Sequence, residues 1–264
     1  MNIALGQLSI VWEDKEANFE KAEICLKALE SQGTELFLLP EMSMTGFSMR
    51  TERTKESGRE TVERMSRLAR RYGIAVGTGW VKDAGETCEN HYTIVTPDGE
   101  LLDYAKLHPF SYSGEDRRFR GGGRLPACRY GNFSIGVQIC YDLRFPEPFQ
   151  RLSRSADLIV VPANWPAARR EDWMCLLRAR AIETQSYVAG INCVGVMDGQ
   201  EYAGDSGLFA AGGKPCEGEV LYPFGENKGE QLLLFSVKND VHTIREGFPV
   251  KKDRRERLYA GWYG

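Results

Sequence analysis

Cys140 closes an apolar, β-branched run, Ser134-Ile135-Gly136-Val137-Gln138-Ile139-Cys140, and the polar segment Tyr141-Asp142-Leu143-Arg144 follows at once. A strand that stops at a polar turn presents its last side chain at the sheet edge, where a rigid backbone can hold a reacting atom still. A thiol in that place reads as a nucleophile. Two ionisable residues occupy similar places: Glu41 follows Leu36-Phe37-Leu38-Leu39-Pro40, and Lys106 follows Leu101-Leu102-Asp103-Tyr104-Ala105. Strand ends are where α/β proteins assemble their sites. Each residue also has a plainer reading: Cys140 as a small core hydrophobe, Glu41 as a helix cap or surface carboxylate, Lys106 as a solvated lysine. Three such residues at three strand ends point to a shared site.

The elements that must position them alternate between short β-like runs and amphipathic helical stretches. A strand at Ile3–Leu8, a helix from Asn18 to Leu29, the strand Leu36–Leu39 and a helix from Thr61 to Tyr72, broken by Gly73, give α/β patterning. The middle differs, because Ile74–Trp80, Tyr92–Thr96 and Leu101–Tyr104 are strands with no helix between them, and Pro97-Asp98-Gly99 signals a tight turn. After Cys140 the pattern predicts a helix near Glu147–Ser153, a strand at Asp157–Val161 and a longer helix at Arg169–Thr184. Strands at Tyr187–Cys193, Asp205–Phe209 and Gln231–Val237 follow, with a hairpin signal at Gly212-Gly213. Mixed sheets stacked between helical layers fit this order better than a simple Rossmann sheet. No linker, low-complexity run or fixed repeat divides the 264 residues, so a single domain over 1–264 is expected. Residues 241–264 form a basic, aromatic-rich tail whose Phe248, Leu258, Tyr259, Trp262 and Tyr263 are expected to pack on the body or on a second subunit.

With 42% hydrophobic and 27% charged residues the chain can bury a large core, and its formal charge of −3 offers no global attraction to nucleic acid or anionic membrane. The arginines at 117, 118 and 120 and the basic run from Lys251 to Arg257 read as solvated faces. The longest apolar runs span a few residues, so no transmembrane helix or secretory signal is expected, and a cytoplasmic protein is. The seven cysteines show no CxxC pair and the three histidines no zinc-ligand spacing. Free thiols, no metal and no cofactor are the expectation.

Leu38-Leu39-Pro40-Glu41-Met42, Tyr104-Ala105-Lys106-Leu107-His108-Pro109-Phe110 and Gln138-Ile139-Cys140-Tyr141-Asp142-Leu143-Arg144-Phe145-Pro146-Glu147 together resemble, in order and separation, the three signature segments of the nitrilase superfamily of carbon–nitrogen hydrolases. The similarity extends to Val161-Pro162-Ala163-Asn164-Trp165 and to the helical segment Arg178–Glu183. The resemblance implies a four-layer αββα sandwich with two mixed β-sheets, commonly assembled as a homodimer or higher homo-oligomer, and a Glu-Lys-Cys triad. Glu41 would take the thiol proton, pass it to the departing amine and then activate water. Lys106 and the backbone N–H of Tyr141 would form the oxyanion hole. Members of the family often place a second glutamate between the lysine and the cysteine; Glu115 matches that place best and would keep Lys106 charged, with Asp116 the competing choice and a surface pairing of Glu115 with Arg117 or Arg118 the plain alternative. A Ser-His-Asp site is disfavoured, because no histidine falls at a comparable strand end, and His108 reads as a positioning residue.

Thr45-Gly46-Phe47-Ser48-Met49 and Cys140–Pro146 are most similar to the ω-amidase branch. That likeness implies a small-molecule amide substrate, the side-chain amide of an α-keto acid such as 2-oxoglutaramate or 2-oxosuccinamate. Phe47, Phe110, Tyr112 and Trp165 could wall such a pocket or pack in the core or against a subunit. Arg144 could clamp a carboxylate or brace the Cys140 turn through an ion pair, and Asn164 could donate to substrate or cap its loop. Nitrilase, carbamoylase or aliphatic amidase chemistry, and a catalytically silent binding scaffold, are the alternatives; the intact Glu41, Lys106 and Cys140 argue against the last.

Overall fold

The structure, a computed structural model, describes residues 1–226 and 229–261. Its strands form two main mixed sheets. In the first, Asn2–Gln7 pairs parallel to Leu36–Leu38, which pairs parallel to Ala75–Asp83, and the antiparallel Cys88–Thr96 and Gly99–Ala105 extend one side. Gln231–Ser236 runs antiparallel to Asn2–Gln7, and Glu219–Leu221 closes the other edge. In the second, Phe133–Val137, Leu158–Ala163 and Tyr187–Asn192 are parallel neighbours, flanked by antiparallel Ala127–Tyr130 and Gly207–Phe209.

Period-two alternation decides which faces meet. Ile3, Leu5, Leu36 and Leu38 point from the first sheet into one cluster with Ile135, Val137, Leu158 and Val160 of the second. Ala4, Phe37 and Val76 point the other way, onto Phe19, Leu26, Met65 and Leu68 of the helices Lys15–Leu29 and Glu60–Tyr72. On the far side of the second sheet Gly136 and Gly190 leave room for Leu152 of the helix Pro146–Leu152 and for Trp173 and Leu177 of the helix Arg170–Thr184. The result is the four-layer αββα sandwich that the strand order and the resemblance anticipate.

Local signals explain the element ends. Asp14 caps the first helix by accepting from Ala17 N at 3.1 Å, and Gly73 ends the helix Glu60–Tyr72 with φ +68°. Pro97-Asp98 joins the antiparallel pair as expected. Gly212-Gly213 turns the chain, but only an isolated bridge between Phe209 and Pro215 forms there instead of a hairpin ladder. Among the described residues, no helix is long and apolar enough to cross a membrane.

The tail packs through Val241, buried in the core, through Ile244 beside it and through polar groups rather than through its rings. Asp240 Oδ1 accepts from Tyr187 Oη at 2.9 Å, Arg245 Nη2 donates to Ser186 Oγ at 2.7 Å, and Lys251 Nζ donates to Ser153 O at 2.6 Å. Phe248 contributes its carbonyl, to Gln185 Nε2 at 2.7 Å, while its ring stays 71% exposed and does not pack on the body of its own chain. Leu258 is likewise exposed, Tyr259 lies under the Arg254 guanidinium, and Trp262 and Tyr263 lie outside the described residues.

The segment carrying Glu41 is docked on its neighbour strand by Gly79. Leu39 N donates to Gly77 O at 3.0 Å, and Gly79 N donates to Ser43 Oγ at 2.9 Å. A Cβ on Gly79 would lie 2.2 Å from Met42 N, a backbone atom that cannot swing aside. Gly79→Ala is therefore expected to lower stability in urea by about 1–3 kcal/mol and to depress turnover of the protein that remains folded. Gly207→Ala, where nothing lies within 4 Å, is the control; equal effects of the two would contradict the account.

Candidate active site

Three strand ends converge where the two sheets meet. Glu41 lies just beyond Leu36–Leu38 and Lys106 just beyond Gly99–Ala105, both from the first sheet; Cys140 arrives from the second. Glu41 and Glu115 are 0% exposed and Lys106 is 1% exposed. Lys106 Nζ donates to Glu41 Oε1 at 3.0 Å and to Glu115 Oε2 at 2.8 Å, so one ammonium is held between two carboxylates. Asp116, the competing choice, is exposed.

Burial pulls the Lys106 pKa down, but the charges of Glu115 and Glu41 outweigh it and leave the ammonium above its ordinary range. Burial, helped by the Glu41 charge against the pull of Lys106, raises Glu115. The Cys140 thiol faces Glu41 and is pushed well up, first by burial and then by Glu41, against the opposing charge of Lys106. Its surroundings thus favour the thiol over the thiolate, with Glu41 beside it.

Cys140 is not the last residue of its strand. The strand ends at Val137, and Cys140 opens a 3-10 turn, Cys140–Arg144, with φ +46°. A non-glycine residue in the left-handed region costs roughly 1–2 kcal/mol, and Asp142 holds it there. Asp142 Oδ2 accepts from Ile139 N at 2.9 Å and from Tyr104 Oη at 2.7 Å, while Oδ1 accepts from His108 N at 2.9 Å and lies 2.7 Å from His108 Nδ1. One carboxylate therefore ties the nucleophile turn to the loop that follows Lys106. His108, stacked on Phe145 with ring centroids 3.9 Å apart, takes the positioning place expected of it.

Two residues given no such role by the sequence complete the cluster. Asn90 Nδ2 donates to Glu41 Oε1 at 2.8 Å and to Glu115 Oε1 at 3.1 Å, joining the two carboxylates. Its Oδ1 is buried with no partner among the described residues, so the residue is kept for its donors. Asn164 is tied to the base: its backbone N–H donates to Glu41 Oε2 at 2.9 Å and its side-chain amide to Glu41 O at 2.7 Å. Asn90 lies between Glu89 and His91 in a strand of mixed polarity and gave no signal, whereas Asn164, just after the apolar strand Leu158–Ala163, was a legible polar residue at a strand end.

A sequence profile described as carbon-nitrogen hydrolase matches residues 2–218. The chain belongs to the carbon-nitrogen hydrolase family. It is 34% identical to the ω-amidase YafV of Yersinia enterocolitica over 96% of this chain and 96% of that protein. It is 29% identical to the 2-oxoglutaramate amidase of Bacillus subtilis, over 97% and 98% of the two chains. A CN-hydrolase superfamily protein from Xanthomonas campestris, solved with an arsenic adduct in its active site, superposes with a TM-score of 0.84 at 31% identity over 96% of this chain and 97% of that one. The protein is an amidohydrolase.

In this carbon–nitrogen hydrolase Cys140 opens into a cavity of about 430 Å³. Phe47, Phe110, Tyr112 and Trp165 all line it, and Phe47 also lies 5.3 Å from Lys106 Nζ. Arg144 lines it as well while pairing with Asp172 at 2.8 Å. The sequence reading missed one wall: the hairpin of Val194–Met197 and Gln200–Ala203, which brings Met197, Asp198, Gln200 and Tyr202 to the cavity. Its Asp198-Gly199 turn, with φ of +47° and +78°, was the legible signal.

Asp142→Asn removes the charge that four contacts share and is expected to cost at least about 1.5–3 kcal/mol of stability, with kcat falling more than KM rises; an unchanged urea midpoint would contradict the bracing role. Burial raises Cys140, Cys193 and Tyr104 alike. Groups with raised folded pKa contribute stability that is complete below their unfolded values, about 8.5 for a thiol and 10 for a phenol, and is lost as pH climbs through the higher folded values. The urea midpoint is thus expected to decline progressively above about pH 8.5; a midpoint that rises in that window would contradict it.

Proposed function

We propose that the protein is an ω-amidase, hydrolysing the terminal amide of a small α-keto acid of the 2-oxoglutaramate or 2-oxosuccinamate type to the carboxylate and ammonia through a thioester on Cys140. The observation that carries this reading is the buried ammonium of Lys106 held between Glu41 and Glu115, with the Cys140 thiol facing Glu41 at the floor of an aromatic cavity. Similarity to two enzymes named for this activity supports the substrate class.

The arrangement of Glu41, Lys106 and Cys140 supports the following order of steps. Glu41 takes the Cys140 proton as Sγ bonds to the amide carbon, so the thiolate forms only as it is consumed. Lys106 Nζ and Tyr141 N–H receive the charge that develops on the carbonyl oxygen; the N–H groups at the start of a helical turn lack acceptors within the turn. The proton on Glu41 passes to the nitrogen, the C–N bond breaks and ammonia leaves the thioester. Water then gives a proton to Glu41 and adds to the thioester carbon; the C–S bond breaks, and the thiol regains its proton. Glu115 keeps Lys106 charged throughout, because losing either carboxylate would expose the ammonium to its desolvation cost. Buried Trp165 and half-buried Phe47 and Phe110 shield the small substrate from bulk water, while the exposed Tyr112 stands at the rim.

Ammonia release from 2-oxoglutaramate, 2-oxosuccinamate, glutamine, a simple aliphatic amide, a carbamoyl amino acid and a small nitrile would test the reading. Wild type is expected to favour the keto-acid amides, Cys140→Ala to release none, and Lys106→Ala to lose about 10²–10³ in kcat while still unfolding cooperatively. Preference for the carbamoyl compound or nitrile would move the enzyme to another branch, and release by Cys140→Ala would remove the thioester.

A further inference from the structure

Three arginines reach the cavity, Arg50, Arg144 and Arg169, and two of them are already paired. Arg50 Nε lies 2.6 Å from Glu13 Oε1 and Arg144 Nη2 lies 2.8 Å from Asp172 Oδ2. Even Arg170, next in the chain, is held by Asp205 at 2.6 Å. Arg169 differs. Its guanidinium lies 5.7 Å from the Phe110 ring centroid and 5.2 Å from that of Tyr112, and it has no carboxylate partner among the described residues. Asp198 lines the same cavity but pairs with none of the three.

The backbone beneath Arg169 is fixed. It ends the 3-10 turn Ala167–Arg169, its N–H donates to Pro166 O at 2.9 Å, and its carbonyl accepts from Trp165 Nε1 at 2.8 Å. Phe110, under the guanidinium, is itself tied to the charge cluster, because Phe110 N donates to Glu115 Oε2 at 2.5 Å. A guanidinium backed by aromatic faces is oriented before any ligand arrives, is weakly hydrated, and keeps an edge of N–H groups able to fork onto a carboxylate. Pre-orientation spares the side-chain entropy that a free surface arginine would lose on binding.

We propose that Arg169 is the specificity-determining anchor for the carboxylate of a small anionic amide bound in the cavity that it lines together with Cys140. The inference rests on the ω-amidase reading and deepens it: the catalytic cluster reads the amide, and the aromatic-backed arginine reads the charge at the substrate's other end. Arg144 also lies over an aromatic ring, 5.0 Å from the Trp165 centroid, but its pairing with Asp172 sets it apart from Arg169 and leaves it as wall.

The test compares 2-oxoglutaramate with its uncharged methyl ester in wild type, Arg169→Gln, Arg169→Lys and Arg144→Gln, and reads the ratio of kcat/KM for acid over ester. Both substrates meet the same folded enzyme, so the ratio corrects for any loss of folded protein. Arg169→Gln is expected to lower the ratio about 10–100-fold, as for a lost hydrogen bond to a charged group, mainly through KM for the acid. Arg169→Lys, which keeps the charge but not the fork, is expected to fall between. A wild type that prefers the acid while Arg169→Gln leaves the ratio unchanged would overturn the anchor and spare the ω-amidase reading. A ratio that collapses in Arg144→Gln and not in Arg169→Gln would reassign the anchor to Arg144. A wild type that hydrolyses the ester but not the acid would overturn both.

Discussion

An ammonium and two carboxylates stripped of water set the terms for everything around them. The idealised cost of moving one such ion into a low-dielectric interior is of order 20 kcal/mol, and several kcal/mol remain after relaxation. Lys106 alone could not bear that, and neither could Glu41 or Glu115. Together they can, provided the remaining carboxylate oxygens are also satisfied. Asn90, Asn164 and the Phe110 N–H supply those donors. The cluster is therefore a unit: each group's charge is tolerable because the others are in place, and the chemistry inherits a base and a cation that need no reorganisation when charge moves.

That unit can exist only where two sheets meet. Glu41 and Lys106 come from strands of one sheet and the nucleophile from the other, so their separation is set by the packing of Leu36, Leu38, Val137 and Ile139 between the layers. Tight glycine approaches, such as Gly79 against the Glu41 turn, and the Asp142 bridge across to His108 and Tyr104 fix what packing alone leaves loose. The left-handed backbone at Cys140 is held against its own preference by the same bridge.

Much of this was legible in residue order. Strand-end positions picked out Glu41, Lys106 and Cys140, and period-two alternation anticipated stacked mixed sheets. The sequence did not disclose who satisfies the buried charges. An asparagine within a strand and an asparagine after one look like ordinary polar residues until the fold places each beside the same carboxylate, and an aspartate two residues beyond a cysteine gives no hint that it also binds Tyr104 of the other sheet and His108 of the loop beyond it. Such roles depend on long-range contacts that periodicity does not encode. The hairpin of Val194–Ala203 was a different kind of omission, since its Asp-Gly turn was in plain view beside short strands that carry too few residues to show alternation.

That hairpin belongs to neither main sheet, yet it forms one side of the cavity. A two-stranded clip attached at the rim can exchange side chains, or change its length, without disturbing the interlayer packing that fixes the charge cluster. Within a family that keeps one chemistry and diversifies what it is applied to, such a clip gives selection a part it can rewrite while the reaction itself stays fixed.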